Sequence, residues 1–126
     1  MKKRILYVED NPNNRLYVKR ILESEGHDYL EAIDGESAWN IVVKERPDFI
    51  FIDLSLPGLD GVELTRIIKT DPDLETIPIV ALTAHGDSEV ERIARSAGCD
   101  GFLLKPAQVQ DIRAVLEQFL TPSPAC

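Results

Sequence analysis

Phe49-Ile50-Phe51-Ile52 is an unbroken apolar run that ends on an acid, Asp53. A strand with one wet face alternates apolar and polar residues, so a continuous run needs cover on both faces, the usual state of a strand in a parallel sheet. Ile5-Leu6-Tyr7-Val8 and Ile77-Pro78-Ile79-Val80-Ala81-Leu82 have the same character, and Tyr29-Leu30-Glu31-Ala32-Ile33 and Gly101-Phe102-Leu103-Leu104 complete five expected strands. Helical spacing fills the intervals. Asn11-Pro12 supplies a cap and a first-turn proline to a helix striped by Val18, Ile21 and Leu22 and ended by Gly26. A second runs from about Glu36 through Ala38, Ile41 and Val42 and stops before Pro47. Leu64, Ile67 and Ile68 mark a third, closed by Asp71-Pro72; Val90, Ile93, Ala94 and Ala97 mark a fourth, closed by Gly98. Ile112, Val115, Leu116, Phe119 and Leu120 mark a fifth. The alternation predicts an α/β fold: a doubly wound, five-stranded parallel sheet with helices on both faces.

Composition narrows the function classes. The chain has 126 residues, 44% of them hydrophobic, enough for one domain with its own core and too apolar for a disordered chain. Fourteen basic against twenty-two acidic residues give a net charge of -8, the wrong sign for direct nucleic-acid binding. Cys99 and Cys126 have no Cys or His nearby to share a metal, and both are expected as reduced thiols of a cytoplasmic protein. Lys2-Lys3-Arg4 begins like a signal peptide, but Glu9-Asp10 cut the apolar stretch off at once. No later run nears the ~18 residues of a membrane span, so neither export nor membrane residence is expected. Thr121-Pro122-Ser123-Pro124-Ala125-Cys126 lacks periodicity, which leaves residues 1–120 as the domain and 121–126 as a tail or linker stub.

Doubly wound sheets bind ligands beyond the carboxyl ends of their strands. Those positions hold Glu9-Asp10 after the first run, Asp53 after the third, Thr83-Ala84 after the fourth and Lys105-Pro106 after the fifth. A charge there is costly unless it is paired or ligates a metal. Three crowded carboxylates suit a hard divalent cation such as Mg²⁺, which binds through one or two carboxylates and accepts phosphate oxygens as further ligands. Lys105 is a compact positive charge able to meet a phosphoryl oxygen, and Thr83 adds a hydroxyl donor. A carboxylate nucleophile, a cation, an ammonium and a hydroxyl make up the set that in-line phosphoryl transfer to an aspartate requires. Each residue also has a plainer reading: Asp53 as a turn residue, Glu9-Asp10 as acids at a helix start, Thr83 as a helix cap. The plainer readings explain the residues singly and not their coincidence. His27 and His85 read as surface residues and Trp39 as packing.

Val8-Glu9-Asp10-Asn11, Phe51-Ile52-Asp53-Leu54 with Leu56-Pro57-Gly58 and Asp60-Gly61, Ala81-Leu82-Thr83-Ala84 and Leu104-Lys105-Pro106 together resemble the receiver domain of two-component response regulators, the CheY-like fold related to flavodoxin. The resemblance covers roughly residues 3–120 and implies the strand order 2-1-3-4-5 with five helices. By that resemblance Asp53 is the phosphoacceptor, Asp10 the direct Mg²⁺ ligand, Glu9 an acidic partner acting largely through water, and Ser55 the donor of a backbone carbonyl to the metal. Thr83 and Lys105 would hold phosphoryl oxygens, and Lys105-Pro106 would be cis. Phe102 takes the position of the family's switch aromatic without a hydroxyl, so ring burial alone would report the state. The implied partners are a sensor histidine kinase or a histidine phosphotransfer protein, and a downstream protein target bound through the fourth helix, fifth strand and fifth helix. The domain would be a signalling phosphoacceptor, not an enzyme that turns over a substrate. Three rivals are weaker, and one of them, a pseudo-receiver that keeps the fold as a binding module without using phosphate, is opposed by the intact set of pocket residues. A phosphohydrolase of the haloacid dehalogenase kind needs a second Asp where Ser55 stands, and a flavin carrier needs a phosphate loop where Glu9-Asp10 would repel phosphate.

Overall fold

A computed structural model describes residues 2–54, 61–84 and 88–120. Ser55, the Leu56-Pro57-Gly58 and Asp60 positions, His85 and the 121–126 tail with Cys126 lie outside them. Strands β1 (Arg4–Val8), β2 (Asp28–Ala32), β3 (Phe49–Asp53), β4 (Ile79–Thr83) and β5 (Gly101–Leu104) alternate with helices α1 (Pro12–Ser24), α2 (Gly35–Glu45), α3 (Gly61–Thr70), α4 (Ser88–Ala97) and α5 (Val109–Leu120). All strand pairs are parallel, in the order β2-β1-β3-β4-β5.

Strand alternation divides the core in two. Leu6, Val8, Ile50, Ile52, Ile79 and Ala81 face one side, where Ala38 and Val42 of α2, Leu64 and Ile68 of α3 and Ala94 of α4 close over them. Ile5, Tyr7, Phe49, Phe51, Val80 and Leu82 face the other, against Val18, Ile21 and Leu22 of α1 and Ile112 and Leu116 of α5. Both layers are dry, which is why β3 and β4 carry no polar residue before their last position and β1 is apolar throughout after Arg4. Trp39 is half-buried against the α2–α3 layer, a packing residue as expected.

Several boundaries moved for identifiable reasons. The apolar run from Ile77 begins before β4, because Ile77 N–H closes a turn on Leu74 C=O and Pro78 has no N–H to give the ladder. Ile33 lies beyond β2 and is half exposed. The second helix starts one residue before Glu36: Asp34 caps it, its carboxylate accepting from Ser37 N–H at 2.8 Å. Asn11 caps α1 through Asn13 and Asn14 N–H, and Gly26 (φ +85°) and Gly98 (φ +114°) take the left-handed conformations that end α1 and α4.

His27, expected as a plain surface residue, is instead partly buried where the chain turns from α1 into β2. Its Nδ1 accepts the Lys3 N–H at 3.1 Å. Burial, reinforced by nearby positive charge, lowers its pKa from 6.5, since only the neutral ring can accept that bond. The unfolded chain therefore binds the proton more readily than the folded one. Stability attributable to His27 is complete above pH 6.5, falls as pH drops through that value and levels off below the lower folded-state pKa. Urea melts from pH 8 to pH 5 should show that decline in the native protein and a shallower one in His27→Gln; equal slopes would contradict it.

Candidate functional site

Because each strand ends with its carboxyl terminus on the same edge, Glu9, Asp53, Thr83 and Lys105 are brought together from β1, β3, β4 and the segment after β5. Glu9, Asp53 and Thr83 are buried, Glu9 and Thr83 to 1% exposure, whereas Asp10 faces solvent. The ladder runs one residue past β1, with Glu9 N–H donating to Ala32 C=O at 2.9 Å, so alternation puts Glu9 on the same face as Tyr7.

The buried carboxylate of Glu9 is surrounded by donors. Tyr7 donates its hydroxyl to Oε1 at 2.9 Å, Asn14 Nδ2 donates to Oε1 at 3.2 Å, and Asn11 N–H reaches Oε2 at 3.3 Å. Lys105 Nζ makes an ion pair with Oε1 and another with Asp53 Oδ2 at 3.1 Å. Burial pushes the Glu9 carboxyl upward, but the Lys105 ammonium, helped by the hydrogen bond from the Tyr7 hydroxyl, outweighs it and holds the group down to about 2. For Lys105 burial disfavours the charge, and the same two carboxylates overcome it and raise the pKa. Tyr7 is shifted far upward, first by burial and then by the Glu9 charge, so its hydroxyl stays a donor.

Backbone contacts hold the acids in place. Arg15 Nη1 donates to the carbonyls of both Glu9 and Asp10 at 3.0 Å, and its Nε pairs with Glu31 Oε1 at 3.4 Å. Lys105 N–H donates to Thr83 C=O at 2.8 Å, and the Lys105-Pro106 bond is cis. Thr83 is paired with Leu104 and Ala81 with Phe102, so Thr83 and Phe102 share the α4 face of the sheet. Phe102 is half-buried there. Ala84 is exposed, and beside it a cleft of about 300 Å³ opens between Tyr7, Asn14, Tyr17, Ala84, Lys105 and Pro106.

One carboxylate oxygen from each of Glu9, Asp10 and Asp53 lies within 4.8 Å of the others. All three are hard oxygen donors, which fits Mg²⁺, and Asp10 has its side chain open to solvent for an incoming ion. The residues predicted at the strand ends thus come together, with Ser55 outside the described residues. Three participants were not expected: Tyr7, Asn14 and Arg15. Tyr7 stands two residues before Glu9 in one strand, a spacing that puts both side chains on one face and was available in the sequence.

The response regulator receiver domain model matches residues 5–117. The chain belongs to that family. Polar-differentiation response regulator DivK of Brucella anthropi is 31% identical over 120 residues, spanning 95% of this chain and 98% of that protein. Sporulation initiation phosphotransferase F of Bacillus subtilis is 30% identical over 120 residues, 95% of each chain. Among solved structures, the receiver domain of a sensor histidine kinase of Pseudomonas aeruginosa PAO1, described with a magnesium ion coordinated in its active site cleft, superposes with a TM-score of 0.89. That receiver is 31% identical to this one, and the match covers 97% of this chain and all of that one. Receivers are phosphoacceptor signalling domains that work with histidine kinases or phosphotransfer proteins and with downstream targets. No described helix of this receiver is long and apolar enough to cross a membrane.

Gly61, the first residue of α3, is pressed against the site. A Cβ there would stand 2.3 Å from Asp53 O and 2.8 Å from Leu54 Cα, both backbone positions that cannot swing aside. Gly61→Ala should therefore displace the end of β3, lowering stability by about 1–3 kcal/mol. Denaturant melts measure the loss, and an unchanged midpoint would show that the α3 entry adjusts freely.

Proposed function

We infer that Asp53 is the phosphoacceptor of this receiver and takes its phosphoryl group from a phosphohistidine of a sensor kinase or phosphotransfer protein. The observation that carries the reading is the bond from Lys105 Nζ to Asp53 Oδ2 at the edge where Thr83 also ends its strand. An Asp53 carboxylate oxygen forms the new bond to phosphorus as the phosphorus–nitrogen bond of the donor breaks. The electron pair of that bond leaves on the imidazole, which takes a proton from water. Lys105 meets one phosphoryl oxygen and Thr83 donates its hydroxyl to another, placing positive charge and a dipole where the equatorial oxygens crowd electrons.

Asp10 and Asp53 are the side chains assigned to hold Mg²⁺ directly, with Glu9 acting through water and Ser55 through its carbonyl. Bound there, the ion would offset the charge of the acids and of the phosphoryl oxygens. The donors already on Glu9 support a secondary role for that acid, since its Oε1 is turned to Tyr7, Asn14 and Lys105.

A phosphoryl group adds about -1.5 to -2 charge beside Thr83. Drawing the Thr83 hydroxyl inward leaves room on the α4 face, where Phe102, half-buried and without a hydroxyl to satisfy, turns further in. The face built by α4, β5 and α5 is then the one that binds the downstream protein, and loss of tight partner binding in phosphorylated Thr83→Ala is the corresponding expectation.

Incubation with acetyl phosphate and Mg²⁺ should add one phosphoryl group by intact mass to the native chain and none to Asp53→Asn, whose amide cannot attack. Labelling of Asp53→Asn at the native level would remove Asp53 from the role. In titrations without phosphodonor, Asp10→Ala should lose more Mg²⁺ affinity than Glu9→Ala; the reverse order would reassign the direct ligand.

A further inference from the structure

We propose that Tyr7 and Asn14 are positioning residues that keep Glu9 satisfied when Lys105 leaves it for the phosphoryl group, and so set the rate of phosphorylation. The proposal rests on the assignment of Asp53 as acceptor. Lys105 bridges Glu9 and Asp53 in the structure, yet during transfer its ammonium is needed on a phosphoryl oxygen. Turning there takes the cation off a carboxylate that is 1% exposed. A buried anion stripped of its partner is strongly unfavourable, so an isolated Glu9 would hold the lysine back.

Two neutral donors remain on the same oxygen. Tyr7 is 1% exposed and has Glu9 Oε1 as its hydroxyl acceptor at 2.9 Å, fixed by strand alternation and not by side-chain freedom. Asn14 comes from α1, on the other side of the Asn11 cap, and places Nδ2 on that oxygen at 3.2 Å. With both in place, Oε1 keeps two hydrogen bonds after the ion pair is given up, and Oε2 keeps the Asn11 N–H. Both donors are spent on Glu9 Oε1, so each acts through Glu9 and Lys105.

Tyr7→Phe removes a donor without removing the ring from the α1–α5 layer. Asn14→Ala, at a partly exposed helical position, removes the other and favours the helix. With acetyl phosphate varied at saturating Mg²⁺, Tyr7→Phe should lower the maximal phosphorylation rate about tenfold, the worth of one hydrogen bond to a charged group, leaving KM for the donor within about twofold. Asn14→Ala should act in the same direction. Mg²⁺ affinity, measured by calorimetry without phosphodonor, should be unchanged or tighter in both, because the site loses a donor and keeps all its acids. Maximal rates equal to wild type in both variants would overturn the proposal. So would a loss of Mg²⁺ affinity that parallels the loss of rate, since that marks general damage to the site. Should Tyr7→Phe fail to fold in a thermal melt, Asn14→Ala decides alone. Labelling that survives in Asp53→Asn would instead overturn the acceptor assignment, a separate result from either of these.

Discussion

Three acids meet at the edge of a sheet whose two faces are dry, and the charge they carry has to be answered locally. Lys105 does this from the residue that follows the last strand, reaching Glu9 just past the end of β1 and Asp53 at the end of β3. The pairing links strands that are not neighbours in the sheet, since β4 lies between β3 and β5. It also explains why the segment after β5 is closely held: the Lys105 N–H is bonded to Thr83 C=O while its side chain spans the site. Coulomb attraction at this depth is strong, and so is the desolvation it offsets, which makes the cluster sensitive to any change in the number of charges it holds. A transferred phosphoryl group is such a change.

The support around those charges comes from secondary structure already needed for folding. The Asn11 cap of α1 directs the helix so that Asn14 and Arg15, on successive positions, reach Glu9 by side chain and by backbone. Arg15 is in turn set by Glu31, whose carboxylate also takes the Tyr29 hydroxyl at 3.0 Å, extending the contacts across β2. A substitution in β2 can therefore reach the site without touching it. Gly61 performs the equivalent service from the opposite face, letting α3 begin against the β3 backbone.

Most of this architecture was legible in the residues. Continuous apolar runs gave away the covered sheet, and the acids, threonine and lysine that broke them marked the edge where the site lies. What stayed hidden depended on contacts between segments. Tyr7 sat inside an apolar run and read as core, which it is; only its hydroxyl has a second duty, visible once alternation is extended to Glu9. His27 read as surface because nothing nearby in sequence predicts that β1 begins alongside it. Ile77 read as strand because it is buried, whereas its backbone belongs to a turn. Burial is written in side-chain type, but hydrogen-bond partnership is a property of pairs that only the folded chain brings together.

Lys69 gives α4 a mechanical character. Its ammonium holds the carbonyls of Glu75 and Ile77 and the carboxylate of Asp100, while its stem lies where a Cβ on Gly98 would stand. The C-terminal end of α4 is thereby pinned to α3 and to the entrance of β4, and its Ser88 end is the one that follows the Thr83 strand terminus. A ten-residue helix is about 15 Å long. With its C-terminal end fastened beside Gly98, α4 can be displaced only about that point, as a swing of the helix face and not a slide along the sheet.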